Sequence, residues 1–264
     1  MLKAIARQLT TPDQRRLMGL VALLVQRDLR VRYRGSFLGY LWSMMNPLLY
    51  MLILSFVFSH LMRFKIENFA LFILSGILVW NLFSQSLVIG VNSIVANGSL
   101  LRKVQVPATL FPLASVCSVL VNFVLALGPY ILFAFFSGVP LNGWLLALPI
   151  ILVPYLVFIF GVALFLATLN VSFRDVGHVL EPLLLMTFYA TPVLYPIDQL
   201  PEKYARIISL NPMTHFLREI RTVLFDGAAP DPRTFAITCA LAVIALILGL
   251  LVYRKNRDRF VYNL

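Results

Sequence analysis

The sequence predicts an all-α integral membrane protein. It is read as six transmembrane helices, with an N-terminal amphipathic interface helix before the first and short re-entrant periplasmic helices before the last. Two observations carry this reading. Of 264 residues, 60% are apolar and only 12% are charged, whereas soluble domains carry about 25% charged residues. Charge is also absent from long stretches: no Asp, Glu, Lys or Arg lies between Arg34 and Arg63, Glu67 and Arg102, Lys103 and Arg174, or Arg233 and Arg254. A bilayer core of about 30 Å is crossed by roughly 20 apolar helical residues. The runs are continuous rather than alternating, which favours helices over barrel strands.

In chain order, residues 1–34 form a cytoplasmic interface region. Leu17, Leu20, Val21, Leu24, Val25 and Leu29 recur at helical spacing, and arginines occupy the remaining surface. This pattern fits a helix lying at headgroup level, or a simple topological anchor. No cleavable signal peptide is expected, because no apolar core with a small-residue cleavage site opens the chain. The spans are expected near 36–60, 69–95, 108–136, 144–169, 179–197 and 234–253. They form one bundle over 35–253, followed by a cytoplasmic tail, 254–264, in a single domain over 1–264. The first span carries Asn46-Pro47, and Phe37, Tyr40, Met44, Met51, Ser55 and Phe58 share one face of it. That face is either an aromatic path or plain packing.

The second loop, NGSLLRKVQVP from Asn97 to Pro107, is basic. Leu100, Leu101 and Val104 give it a small apolar face, which suits a helix docking on a soluble partner better than a mere topological turn. The fourth loop holds Arg174, which either serves function or pairs with Asp175 or Glu181. The segment 198–233 is long and not polar; it reads as two short helices dipping back toward the bilayer, broken at Asn211-Pro212.

Six spans place both termini on one side. That side carries 15 of the 22 Lys and Arg, and the other carries Arg63, Lys65, Lys203, Arg206, Arg218, Arg221 and Arg233. The positive-inside rule therefore puts both ends in the cytoplasm. The net charge of +11 is a topology signal that also meets anionic lipid; no nucleic-acid motif accompanies it. Cys117 and Cys239 fall within spans and read as small packing residues.

Chemical motifs are missing. The sequence has no phosphate-binding G-x-x-x-x-G-K-[ST] loop, no H-E-x-x-H and no G-x-S-x-G. His60, His178 and His215 lack metal-ligand spacing. No acidic group sits deep in a span, which disfavours an ion-coupled carrier and a membrane enzyme built on a carboxylate pair. The chain needs an outside energy source, or is a passive pore.

Four segments carry a resemblance: RDLRVRYRGSFLGYLWSMMNPLL (27–49), NGSLLRKVQVPATLFPLA (97–114), NVSFRDVGHVLEPLLLMTFYATPVLYP (170–196) and LNPMTHFLREIR (210–221). In order and spacing they resemble the permease subunits of bacterial polysaccharide-exporting ABC transporters, which move lipid-linked O-antigen, capsule or teichoic-acid chains. The resemblance implies a homodimeric, multi-pass inner-membrane permease with two separate ATPase subunits. ATP and Mg would be bound by those partners, and this chain would bind no cofactor, hold no metal and catalyse nothing alone. It implies a glycan channel lined by Tyr40, Trp42, Phe188, Tyr189 and Tyr195. It places a diphosphate headgroup entrance at Arg27, Arg30, Arg32 and Arg34, although these also read as topology anchors. ATPase coupling would fall on Leu100, Leu101, Arg102, Lys103 and Val104. A periplasmic gate would lie within 201–225, at Asn211, Pro212, Phe216 and Arg218. The rivals are the same architecture moving a drug or ordinary lipid, a membrane enzyme acting on polyprenyl-linked sugars, and a passive channel.

Overall fold

A computed structural model describes residues 14–37, 39, 41–61, 67–103, 106–257 and 260. Tyr40, Val104, Arg63 and Lys65 lie outside the described residues, as do the side chains of Ser55, Phe58 and His60 and most of the tail beyond 257. Every regular element among the described residues is helical. The α-helices are α1 (Gln14–Tyr33), α2 (Leu41–Leu61), α3 (Phe69–Ala96), α4 (Gly98–Lys103), α5 (Leu110–Phe136), α6 (Leu148–Ser172), α7 (Val176–Tyr189), α8 (Glu202–Ser209), α9 (Pro212–Leu224) and α10 (Pro232–Asn256), with short 3-10 turns at Gly143–Ala147 and Ile197–Gln199.

Among the described residues, four stretches are long and apolar enough to cross a membrane: Phe69–Lys103, Leu110–Phe136, Gly143–Ser172 and Pro232–Asn256. Their exposed faces are apolar too. On α10, Val243, Ile244, Ile247, Leu248 and Leu251 are exposed, a pattern that suits hydrocarbon and not water. α3 is the hub and packs against α2, α5, α6, α7 and α9. α6 and α10 share the most extensive packing among the described helices. A Cβ on Gly161 would lie 2.5 Å from the backbone of Ala245 and Leu246, so only a glycine permits that crossing.

One end of the bundle gathers Leu24 of α1, Ile94 of α3, Ala108 and Phe111 before and in α5, Val171 of α6 and Phe260 into a single apolar cluster. α1 and Phe260 therefore meet at the same end of the bundle. The opposite end holds α9, the turn with Gly138 at φ +73°, and the first turn of α10, where the Asp231 carboxylate accepts from the Thr234 amide at 3.1 Å.

The fifth expected span, 179–197, differs from its reading. α7 stops at Tyr189 after 14 residues, about 21 Å of helix and short of a bilayer core of about 30 Å. Hydropathy continues through Thr191-Pro192-Val193-Leu194-Tyr195-Pro196, but the helix cannot. Pro192 has no N–H to donate, and the residue before a proline is disfavoured in the helical region. The two short helices expected in 198–233 are present as α8 and α9. Arg174 pairs with neither Asp175 nor Glu181: no such ion pair forms among the described residues.

Candidate functional site

A cavity of about 800 Å³ opens between α1, α2, α3, α5 and α7. Its wall joins two kinds of group. Trp42 and Tyr50 of α2, Trp80 of α3 and Phe188 of α7 supply aromatic surface, while Asn46, Asn81, Gln85 and Asn122 supply amides. Asn81 and Gln85 are four positions apart and share one face of α3. Arg32 and Glu181 add one charge of each sign. Tyr33, at the end of α1, donates its hydroxyl to Asn122 Oδ1 at 2.9 Å, so the interface helix is tied to the middle of the bundle at the cavity edge.

The aromatic wall runs on into the core. Phe188 meets Trp80 edge-on at 5.4 Å between centroids, Trp80 meets Phe83 at 5.6 Å, and Phe83 stacks on Phe158 at 6.1 Å. Phe158 then meets Phe216 of α9 at 4.8 Å. Such contacts each add about 0.5–1.5 kcal/mol beyond area burial and hold ring positions. Phe216 is therefore an interior residue at the far end of this chain of rings, only 1% exposed.

The other expected site residues fall into distinct environments. Tyr189 is exposed, and its backbone carbonyl accepts the Tyr195 hydroxyl at 2.9 Å. Arg30, Arg32 and Arg34 are exposed, and of these Arg32 reaches the cavity. Arg27 is turned elsewhere: it pairs with Asp28 at 2.8 Å and donates to Asn97 Oδ1 at 2.7 Å. That bond ties α1 to the start of α4. Leu100 and Leu101 are half-buried against the terminal apolar cluster, and Arg102 and Lys103 are exposed. Asn211 caps α9 by accepting from the Met213 amide at 3.0 Å, Pro212 opens that helix, and Arg218 is exposed on it.

Several residues of the wall and of α9 escaped the sequence reading. Asn81, Gln85 and Asn122 carry no charge and vanish in a search for charge-free stretches, although amides at helical spacing in an apolar run are a usable signal. Glu219 and Arg221 were placed in an outer amphipathic segment, yet they are 1% and 8% exposed. Burial pulls the Arg221 guanidinium down to about 10, so it is still charged at neutral pH.

The arrangement suits passage of a polyhydroxylated chain. Aromatic faces accept the C–H faces of sugar rings, and amides both donate to and accept from hydroxyl groups. Three comparisons bear on this. A family model described as ABC-2 type transporter matches residues 19–225. An O-antigen export system permease protein RfbA from Myxococcus xanthus is 35% identical over 248 residues, which cover 93% of this chain and 95% of that protein. The RfbA permease of Klebsiella pneumoniae is 32% identical over 245 residues, 92% and 94% of the two chains. The polysialic acid transport protein KpsM of Escherichia coli is 24% identical over 250 residues, 90% and 93% of the two chains.

Proposed function

This chain belongs to the ABC-2 type transporter family, and from that premise we propose that it is the transmembrane subunit of an ATP-driven exporter of a lipid-linked polysaccharide. The observation that carries the reading is the likeness to O-antigen export permeases along more than nine-tenths of the chain. The aromatic and amide wall of the cavity supports it, because that surface suits glycan better than a compact apolar drug.

In this reading six segments cross the bacterial inner membrane, with both termini cytoplasmic. α7 and the non-helical stretch after it make the fifth crossing. The shared packing of Leu24 and Phe260 supports a common side for the two ends, and the basic bias of that side supports the cytoplasm. Two copies form the channel. Exposed apolar residues of α2 and α7 flank the open cavity, among them Leu49, Ile53, Leu183 and Met186, and a second copy would cover them. Two ATPase subunits carry ATP and Mg and dock near α4. Trp42, Phe188, Tyr189 and Tyr195, with Tyr40, line the glycan path. Arg30, Arg32 and Arg34 meet the diphosphate headgroup, since guanidinium matches phosphate geometry. Arg27 supports that entrance from behind by fixing α1 to Asn97.

The test is purification of the tagged permease from its native membrane, with ATPase activity assayed on the eluate and surface glycan scored in a deletion strain. A co-purifying ATPase and restored surface glycan are expected. A permease that brings down no ATPase, in cells whose surface glycan does not depend on it, sinks the reading.

A further inference from the structure

The break that ends α7 leaves a run of carbonyls without helical donors, and such groups at membrane depth must be satisfied by protein. Each one from Met186 to Val193 has a donor. The Met186 and Phe188 carbonyls take the amides of Ala190 and Thr191 at 3.0 and 3.2 Å, and the Thr191 carbonyl takes the Val193 amide at 2.7 Å. The Thr187 carbonyl takes the Thr191 hydroxyl at 2.7 Å, and that of Tyr189 takes the Tyr195 hydroxyl at 2.9 Å. The remaining three are satisfied from α9 and its cap residue. Asn211 Nδ2 donates to the Ala190 carbonyl at 3.2 Å. Arg221 donates to the Pro192 carbonyl at 2.9 Å and to the Val193 carbonyl at 3.1 Å.

The same guanidinium reaches α3. Its Nε donates to Ser75 Oγ at 3.3 Å, and its Cζ lies 3.8 Å from the Phe72 ring centroid. No carboxylate forms a direct ion pair with it among the described residues, and the Asp226 carboxylate acts on it only from a longer distance. A buried cation whose acidic neighbour is not in contact with it is costly, so these acceptors and the ring must offset most of its desolvation. The fold also makes room for it. A Cβ on Gly76 would lie 2.5 Å from Arg221 Nη2 and 2.9 Å from the Val193 carbonyl oxygen.

We infer that Arg221 is a positioning residue for export: it holds the break after α7, and with it Tyr189 and Tyr195, in register with α9 and α3. Glycan passing those two tyrosines would meet a surface fixed by α9 and α3. The role rests on the export reading, because it assigns no purpose to the tyrosines without a polymer to guide. Lysine cannot substitute. It keeps the charge, but its ammonium is a compact point and cannot reach both carbonyls, the hydroxyl and the ring from one position.

The experiment uses the full exporter in membranes, in a background with Cys117 and Cys239 replaced by Ala and with Leu194→Cys as a reporter. Leu194 is 8% exposed, so its thiol should react slowly with a maleimide. Arg221→Lys and Gly76→Ala are introduced separately. Each is expected to speed labelling about ten-fold or more and to cut glycan export by a similar factor. Co-purification of the ATPase and its hydrolysis rate should hold. Labelling that stays at the parent rate in both variants overturns the inference, and so does faster labelling with undiminished export. Failure of both variants to accumulate also overturns it, by making Arg221 a folding requirement. A parent chain that exports no glycan counts against the export reading alone, and the labelling rates then decide whether the latch exists.

Discussion

Glu219 lies two positions before Arg221, which on a helix turns it to nearly the opposite face. Its Oε2 accepts the Thr238 hydroxyl of α10 at 2.9 Å, and its Oε1 has no partner among the described residues. Burial pushes this carboxyl above the ordinary glutamate range. A raised native value means that the folded chain holds the proton longer than the unfolded chain does. Its contribution is therefore complete below the ordinary glutamate value and is lost as pH rises through the raised native one. Glu219→Gln keeps the shape and cannot ionise. Thermal unfolding in detergent should find the variant at least as stable as wild type near about pH 8, with its advantage shrinking toward about pH 5. A variant that loses equal stability at both ends would mean that the carboxylate itself is held by the fold. Neither this residue nor Arg221 could be located from sequence. In PMTHFLREIRTVL (212–224) they read as the polar side of an amphipathic helix, and only the packing of α9 against α3, α6 and α10 buries both sides.

At the scale of elements, the apolar runs located α2, α3, α5, α6 and α10 because hydropathy over about 20 residues is a long signal that local packing cannot mask. The end of α7 was not legible in the same way. Hydropathy is blind to the missing amide of Pro192, and the donors that make the break tolerable come from residues 211 and 221, far along the chain. α4 was legible in composition but not in use. Leu100 and Leu101 already pack against the cluster of Leu24 and Phe111, while Arg102 and Lys103 are exposed. α4 thus presents charge outward and anchors itself with its leucines, and Arg27 braces it through Asn97. Leu100→Asp with Leu101→Asp should detach α4 from the bundle end and abolish ATPase co-purification, leaving the permease inserted. Arg102→Glu with Lys103→Glu should weaken co-purification in a salt-dependent way without disturbing α4. An ATPase retained by both double variants would place the docking surface elsewhere.

For the whole molecule, the cavity and the exposed faces of α2 and α7 lie together, and what happens in that space depends on length. A polymer longer than the bundle presents each repeating unit to the same rings in turn. A ring that eases every step acts on the rate per unit, so its loss multiplies with chain length instead of adding once. A ring that merely binds one end of the cargo would slow every chain equally. Tyr189 is the described channel candidate most exposed at 64%, and its backbone is held by Tyr195, so truncating its side chain spares the hydrogen bond that closes the break. In Tyr189→Ala, short glycans should reach the surface at close to the wild-type level while long ones fall behind and accumulate inside. Tyr40→Ala should do the same if it shares the path. Gel analysis of surface and internal glycan by length reads the difference. Uniform loss at all lengths would assign these tyrosines to cargo capture, and wild-type profiles in both variants would return them to packing.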